Sequence, residues 1–175
     1  MQVPLVMTLI SPDRTGLVES VARAVAGHGG NWLESRMCRL GGEFAGILRI
    51  EIPAAKKSAL LAALQTLQTN GLQIVVRDDA PVPAAAGKQT KLEIVGADRP
   101  GIVREITRAL ARATVNVEEF SSEIVSAPMS GEILFKASAR LQLPERCDLA
   151  ALKGDLEKIA ADLLVDVSFA EFPQK

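Results

Sequence analysis

The sequence predicts an α+β fold built from two copies of one folding unit, each with the element order β-α-β-β-α-β. Three observations support this fold class. Residues 13–18 (DRTGLV) return 85 residues later as residues 98–103 (DRPGIV), which indicates an internal repeat. Short segments rich in Val, Leu and Ile alternate with segments of helical periodicity in both halves. A Pro- and Ala-rich segment, residues 79–90, separates the halves and predicts a linker.

The first unit begins with an apolar strand at residues 3–10, which ends at the turn signal Ser11-Pro12-Asp13. A helix follows, because apolar residues recur at helical spacing on one face: Leu17, Val18, Val21, Ala22 and Val25. Residues 32–40 and 43–52 flank Gly41-Gly42 and predict a hairpin. A second helix over residues 54–69 ends at Asn70-Gly71 and leads into a last strand at 72–76.

The second unit repeats this order, which predicts domains at residues 1–78 and 91–175. The repeat keeps its offset without a gap from Asn31 and Asn116 to Gly46 and Gly131. Pro144 corresponds to Pro53 at an offset of 91 residues, compared with 85 in the rest of the repeat. About six inserted residues are therefore expected near the end of the third strand. Residues 133–143 alternate as a half-buried strand, and a helix from Leu149 and a strand at 164–169 complete the unit. Each unit is therefore predicted to be ferredoxin-like, with a four-stranded antiparallel sheet and two helices on one face.

Composition excludes several function classes. The 20 basic and 21 acidic residues give a net charge of -1, which disfavours direct nucleic-acid binding. No apolar run is long enough to span a membrane and no signal peptide is seen, so we expect no membrane partner and a cytoplasmic location. Cys38 and Cys147 are expected to be reduced thiols. One histidine, His28, provides neither a catalytic triad nor, with two distant cysteines, a metal site, and no nucleotide-binding motif predicts a cofactor.

The repeated strand-to-helix loop is the most informative motif. The first N–H groups of a helix lack intrahelical acceptors and the helix dipole favours negative charge there, so an amino-acid carboxylate can bind beside Gly16 or Gly101. Asp13 and Asp98 either serve a ligand ammonium group or cap the helices. Asn31 and Asn116, before the second strands, either contact the ligand or form turns.

These motifs resemble those of the ACT domain family. The resemblance rests on residues 98–103 (DRPGIV), on the following Asn116-Val117, and in the first repeat on residues 39–45 (RLGGEFA). It implies small regulatory modules that bind amino acids at interfaces between ACT domains, through the first loop and the start of the second strand. The implied ligand-binding positions are Asp13, Arg14, Gly16, Asn31, Asp98, Arg99, Gly101 and Asn116. Thr15 departs from the family proline that Pro100 keeps.

Two ACT domains in tandem resemble ACT-domain transcriptional repressors, which implies a non-catalytic protein that senses an amino acid such as glycine and signals to a protein partner such as a transcription activator. The two halves are expected to dock as a pair, and a homodimer is compatible with that pairing. Two alternatives stay open. One is a regulatory subunit of an amino-acid metabolic enzyme. The other is an acylphosphatase-type enzyme that uses Arg14 beside Asn31.

Overall fold

The computed structural model describes residues 1–69, 71–80, 87–127 and 131–171, and it divides the chain into Met1–Val82 and Pro83–Lys175. Asn70, where the second helix was expected to end, lies outside the described residues, as do residues 81–86 of the expected linker. Residues 88–90 of that segment begin a strand.

The two units contain the same elements in the same order. Unit 1 comprises β1 (Gln2–Pro12), α1 (Leu17–Gly27), β2 (Asn31–Leu40), β3 (Glu43–Pro53), a 3₁₀ turn (Ala54–Lys56), α2 (Lys57–Gln68) and β4 (Gln73–Asp78). Unit 2 comprises β5 (Lys88–Ala97), α3 (Ile102–Arg112), β6 (Asn116–Ser126), β7 (Ile133–Leu143), α4 (Leu149–Leu163) and β8 (Val165–Glu171).

Each unit forms one antiparallel four-stranded sheet, in the order β2-β3-β1-β4 in unit 1 and β6-β7-β5-β8 in unit 2. The first strand therefore lies in the middle of its sheet, between the third and the fourth. This order confirms the predicted ferredoxin-like arrangement. The central position of β1 also explains why the apolar sequence of residues 3–10 predicts a buried strand, since a central strand has neighbours on both edges.

The core of each unit lies between the sheet and its two helices. In unit 1, Leu5 and Ile50 from the sheet pack in one buried cluster with Val21 of α1 and Leu60 of α2. In unit 2 the corresponding cluster contains buried residues from the sheet and from both helices: Leu92, Leu141, Ile106 and Leu156. Each such leucine or isoleucine contributes about 1.5–3 kcal/mol by leaving water, so each unit holds its loops on a packed scaffold.

The expected position of the insertion is wrong. β1 pairs with β3 so that Leu9 lies opposite Gly46, and β5 pairs with β7 so that Ile94 lies opposite Ala137. Gly46 therefore corresponds to Ala137, and Gly131 lies before β7 with φ +71°. The extra residues fall between β6 and β7, where unit 1 has only Gly41-Gly42. A hairpin loop accepts added residues more easily than a paired strand, because loop residues have no ladder to preserve.

Candidate ligand-binding loops

The first loop of unit 1 joins the end of β1 to the start of α1 and is tied to the β2–β3 hairpin. The Asp13 N–H donates to the Gly42 carbonyl at 2.8 Å. Helix α1 then begins after Gly16, whose carbonyl accepts both the N–H of Ser20 at 2.9 Å and its hydroxyl at 2.6 Å. The first N–H groups of α1 are consequently held at a fixed point beside the hairpin.

The equivalent loop of unit 2 has the same backbone arrangement. The Asp98 N–H donates to the Ile133 carbonyl at 3.1 Å, and the Glu105 N–H donates to the Gly101 carbonyl at 3.0 Å. Both loops therefore present a helix N-terminus at the same end of their sheets. Such a terminus attracts a carboxylate through its unpaired N–H groups and the helix dipole.

Gly16 and Gly101 occupy the N-cap positions in the left-handed region, with φ +89° and φ +101°. Apart from the two chain neighbours, no atom of the described residues would lie within 4 Å of a Cβ at either position. The glycines are thus required by their backbone angles and not by crowding from the rest of the unit. The described residues leave the space in front of each glycine open.

The prediction that Asp13 and Asp98 cap their helices is wrong. The N-caps are the two glycines, and neither helix has a side-chain hydrogen bond at its cap. The Asp13 carboxylate instead accepts from Nε of Arg39 at 2.6 Å. Arg39 lies near the end of β2, within the β2–β3 hairpin that the loop contacts. This contact brings the side chains of Arg39 and Asp13 together.

Asp98 has a different environment. Its carboxylate makes no ion pair with the residues that the structure describes, and the position that corresponds to Arg39 is occupied by the apolar Ile124. The side chain of Asp98 is exposed. The two loops therefore share a backbone but differ in charge, because an arginine neutralises Asp13 whereas none of the residues that the structure describes neutralises Asp98.

Asn31 and Asn116 lie far from the loop of their own unit. Asn31 lies opposite Glu51 of β3, whereas Pro12, which precedes the loop, lies opposite Glu43. Eight residues of strand separate these positions, which is roughly 26 Å at about 3.3 Å per residue. Asn31 donates from Nδ2 to Oε1 of Glu51 at 3.4 Å. Asn116, opposite Gln142, is equally remote from the loop after β5.

The remaining sequence candidates lie on the surface of the units. Arg14 and Arg99 are exposed residues of the two loops, as are Thr15 and Pro100. His28 contacts the Ala24 carbonyl through Nδ1 at 2.7 Å, at the end of α1. In the described part of the chain, no cluster of three His, Cys, Asp or Glu residues could hold a metal ion. None of the described helices meets the length and apolarity needed to cross a membrane.

Sequence reasoning missed the role of Arg39. The signal was present, because Arg39 precedes the tight Gly41-Gly42 turn and is the last cation before it. What could not be predicted was that the loop after β1 reaches this hairpin, since that contact depends on the central position of β1 in the sheet.

A model of the ACT domain family matches residues 4–77 and 92–170. The chain therefore belongs to the ACT domain family, and it carries two copies of the domain. It is 24% identical over 173 residues to the glycine cleavage system transcriptional repressor of Escherichia coli (strain K12), an alignment that covers 94% of this chain and 85% of the repressor. The repressor of the same name from Shigella flexneri matches with the same values.

Two crystal structures resemble the whole chain. An unknown protein from Galdieria sulphuraria has a TM-score of 0.84 at 28% identity, over 99% of this chain and 100% of that one. A protein provisionally named a glycine cleavage system transcriptional repressor has a TM-score of 0.71 at 20% identity, over 99% of each chain. At 20% identity, the similarity to this second structure shows a shared fold.

Proposed function

We propose that this protein is a non-catalytic, cytoplasmic regulator that binds a small amino acid at its ACT loops and passes that signal on by protein–protein contact. The observation that carries the proposal is the loop of unit 2, where the N-terminus of α3 lies beside the exposed carboxylate of Asp98, which makes no ion pair with any described residue. The related repressors support a role in controlling transcription, and glycine is the first ligand to test.

The two charges of an amino acid match the two features of this loop. A ligand carboxylate suits the N–H groups that follow Gly101, and a ligand ammonium group suits the Asp98 carboxylate. Arg99, exposed on the same loop, adds a second group for the carboxylate. In unit 1 the ammonium group must compete with Arg39 for Asp13, so the loop with Asp13, Arg14 and Gly16 is the weaker of the two.

Asn31 and Asn116 can contact a ligand bound at a loop only if that loop belongs to another ACT unit. Within one unit, Asn116 lies at the opposite end of the sheet from the Asp98 loop, and Asn31 is just as far from the Asp13 loop. A ligand that contacts a loop and an asparagine together must therefore be held by two units. Binding would then favour one arrangement of those units over another, which is how a small ligand can act on a partner.

A regulatory subunit of an amino-acid metabolic enzyme stays an alternative, since it differs only in the partner. An acylphosphatase-type enzyme has less support, because Arg14 and Asn31 lie at opposite ends of unit 1. The near-neutral composition favours a protein partner over direct contact with DNA.

A thermal-shift screen of the twenty amino acids tests the proposal, because a ligand that binds the native state stabilises it. We expect one or a few small amino acids to raise the unfolding temperature. A purified chain that no amino acid stabilises, or that hydrolyses an acyl phosphate, would refute the proposal.

A further inference from the structure

The outer face of the unit 1 sheet, which faces away from α1 and α2, carries exposed apolar side chains on three of its four strands. We call these three residues the outer patch: Ile10 is 44% exposed, Ile47 46% and Val75 55%. They lie on β1, β3 and β4, three adjacent strands. A sheet covered on one face by helices ordinarily shows polar residues to water on the other, so the outer patch departs from that pattern.

Unit 2 provides an internal comparison at two of these three positions, where it has the same fold with polar residues, whereas Val95, 37% exposed, keeps an apolar residue at the position of Ile10. Thr8 lies between Ile47 and Val75 in unit 1, and Glu93 lies between Ser138 and Ser168 at the matching register in unit 2. The fold therefore does not require apolar residues there. The apolar pair Ile47 and Val75 is therefore specific to unit 1.

We propose that the outer patch is a self-association surface that binds the same patch of a second copy of this chain. The sheet order β2-β3-β1-β4 is compatible with a two-fold axis parallel to the strands, which places β3 against the partner's β1 and β2 against the partner's β4. Ile47 then faces the partner's Thr8 and Ile10 faces the partner's Ala45, whereas Val75, on the edge strand, faces the partner's Arg36.

Charge complementarity between the two edge strands, β2 and β4, favours a second copy of the chain as the binding partner. Glu34 on β2 and Arg77 on β4 stand at one level of the sheet, because Glu34 lies opposite Arg49, which is opposite Val6, which is opposite Arg77. Glu34 pairs with Arg36 at 3.1 Å, whereas Arg77 makes no ion pair with any residue in the described ranges. The two-fold axis brings each Arg77 opposite the partner's Glu34, so the surface is complementary to itself.

The size of the face sets the strength of the association. Four strands about 4.8 Å apart, over about six residues, give a face of roughly 400 Å² per copy. Two copies bury about 800 Å², below the range of about 1,200–2,000 Å² of stable complexes. The dimer is therefore weak and depends on concentration.

Sedimentation equilibrium of the full chain, from about 1 µM to 1 mM, tests the proposal. We expect a reversible monomer–dimer equilibrium in the parent and at least a tenfold weaker dimer in Ile47→Lys. Ser138→Lys, the matched change on unit 2, leaves the equilibrium unchanged. A parent that is monomeric at every concentration, or an effect of Ser138→Lys equal to that of Ile47→Lys, overturns the proposal.

Charge-reversal variants distinguish the proposed two-fold dimer from binding of another partner to the outer patch. They also distinguish a weakened dimer from a misfolded variant. Arg77→Glu and Glu34→Arg each weaken the dimer, since each opposes like charges twice in a symmetric pair. The double variant restores the parent equilibrium, because each new Glu faces a new Arg. A double variant that dimerises no better than the single ones contradicts the proposed two-fold arrangement.

Discussion

Nε of Arg39 lies 2.6 Å from Oδ2 of Asp13, so an arginine of the β2–β3 hairpin holds the carboxylate of the first ACT loop. The second unit has Ile124 in place of that arginine, which leaves Asp98 unpaired among the described residues. Two loops with the same backbone thus differ in whether their acidic group is available to a ligand.

Replacing Arg39 with alanine tests this difference. We expect Arg39→Ala to strengthen amino-acid binding at the unit 1 loop, because the ligand ammonium group no longer competes with a guanidinium for Asp13. The free energy of unfolding should change by less than about 1 kcal/mol, since the pair is largely exposed. Calorimetric titration and thermal unfolding measure the two quantities.

Lys158→Ala is the matched control for Arg39→Ala, because it removes another exposed cation that pairs with a carboxylate, that of Asp155 on α4 of unit 2, outside both loops. It should leave ligand binding unchanged. Equal changes in affinity for both variants would show that the Asp13–Arg39 pair has no special role.

Gly101→Ala measures the conformational requirement of the loop. The residue has φ +101° and open space around it, so an alanine meets no neighbour but adopts an unfavourable backbone conformation. We expect a loss of about 1–2 kcal/mol in the free energy of unfolding. Gly154→Ala, inside α4 and also in open space, should instead stabilise by up to about 1 kcal/mol. Denaturant unfolding of both variants gives the comparison.

Gly96→Ala examines a different kind of glycine, one that is crowded by its neighbours. A Cβ there would lie 2.5 Å from the Leu164 carbonyl oxygen and 2.5 Å from Cα of Val165. Because backbone atoms of the chain before and at the start of β8 must move, we expect a loss of about 1–3 kcal/mol. A variant that unfolds at the same denaturant concentration as the parent would contradict this, because it would show that the backbone at the start of β8 moves aside without cost.

The fold could be predicted from the sequence because local signals agreed with the tertiary structure. Residues 133–143 were predicted to be a strand from their alternation, and β7 is Ile133–Leu143. The two-residue hairpin at Gly41-Gly42 is also confirmed. The position of the insertion was wrong, because a matching glycine at 131 suggested an unbroken register and only strand pairing shows where each β7 residue lies.

The candidate site was less predictable than the fold. The glycines at positions 16 and 101 could be identified from the repeat, but the ion pair of Asp13 and the distance of Asn31 from the loop depend on strand order. Strand order is a long-range property that a linear motif does not contain. The ligand-binding assignment of the loops therefore stays a prediction.

Calorimetric titration of the parent, Asp98→Asn and Asp166→Asn with the amino acid that stabilises the chain most is the direct test of the central claim. Asp98 does not cap α3, so its amide variant should fold normally, and Asp166 offers an exposed carboxylate on β8 as the control. We expect Asp98→Asn to bind about tenfold more weakly or worse, since a charged hydrogen bond to the ammonium group is lost, while Asp166→Asn binds like the parent. Equal affinity of all three proteins would contradict the account of the second loop as an amino-acid site.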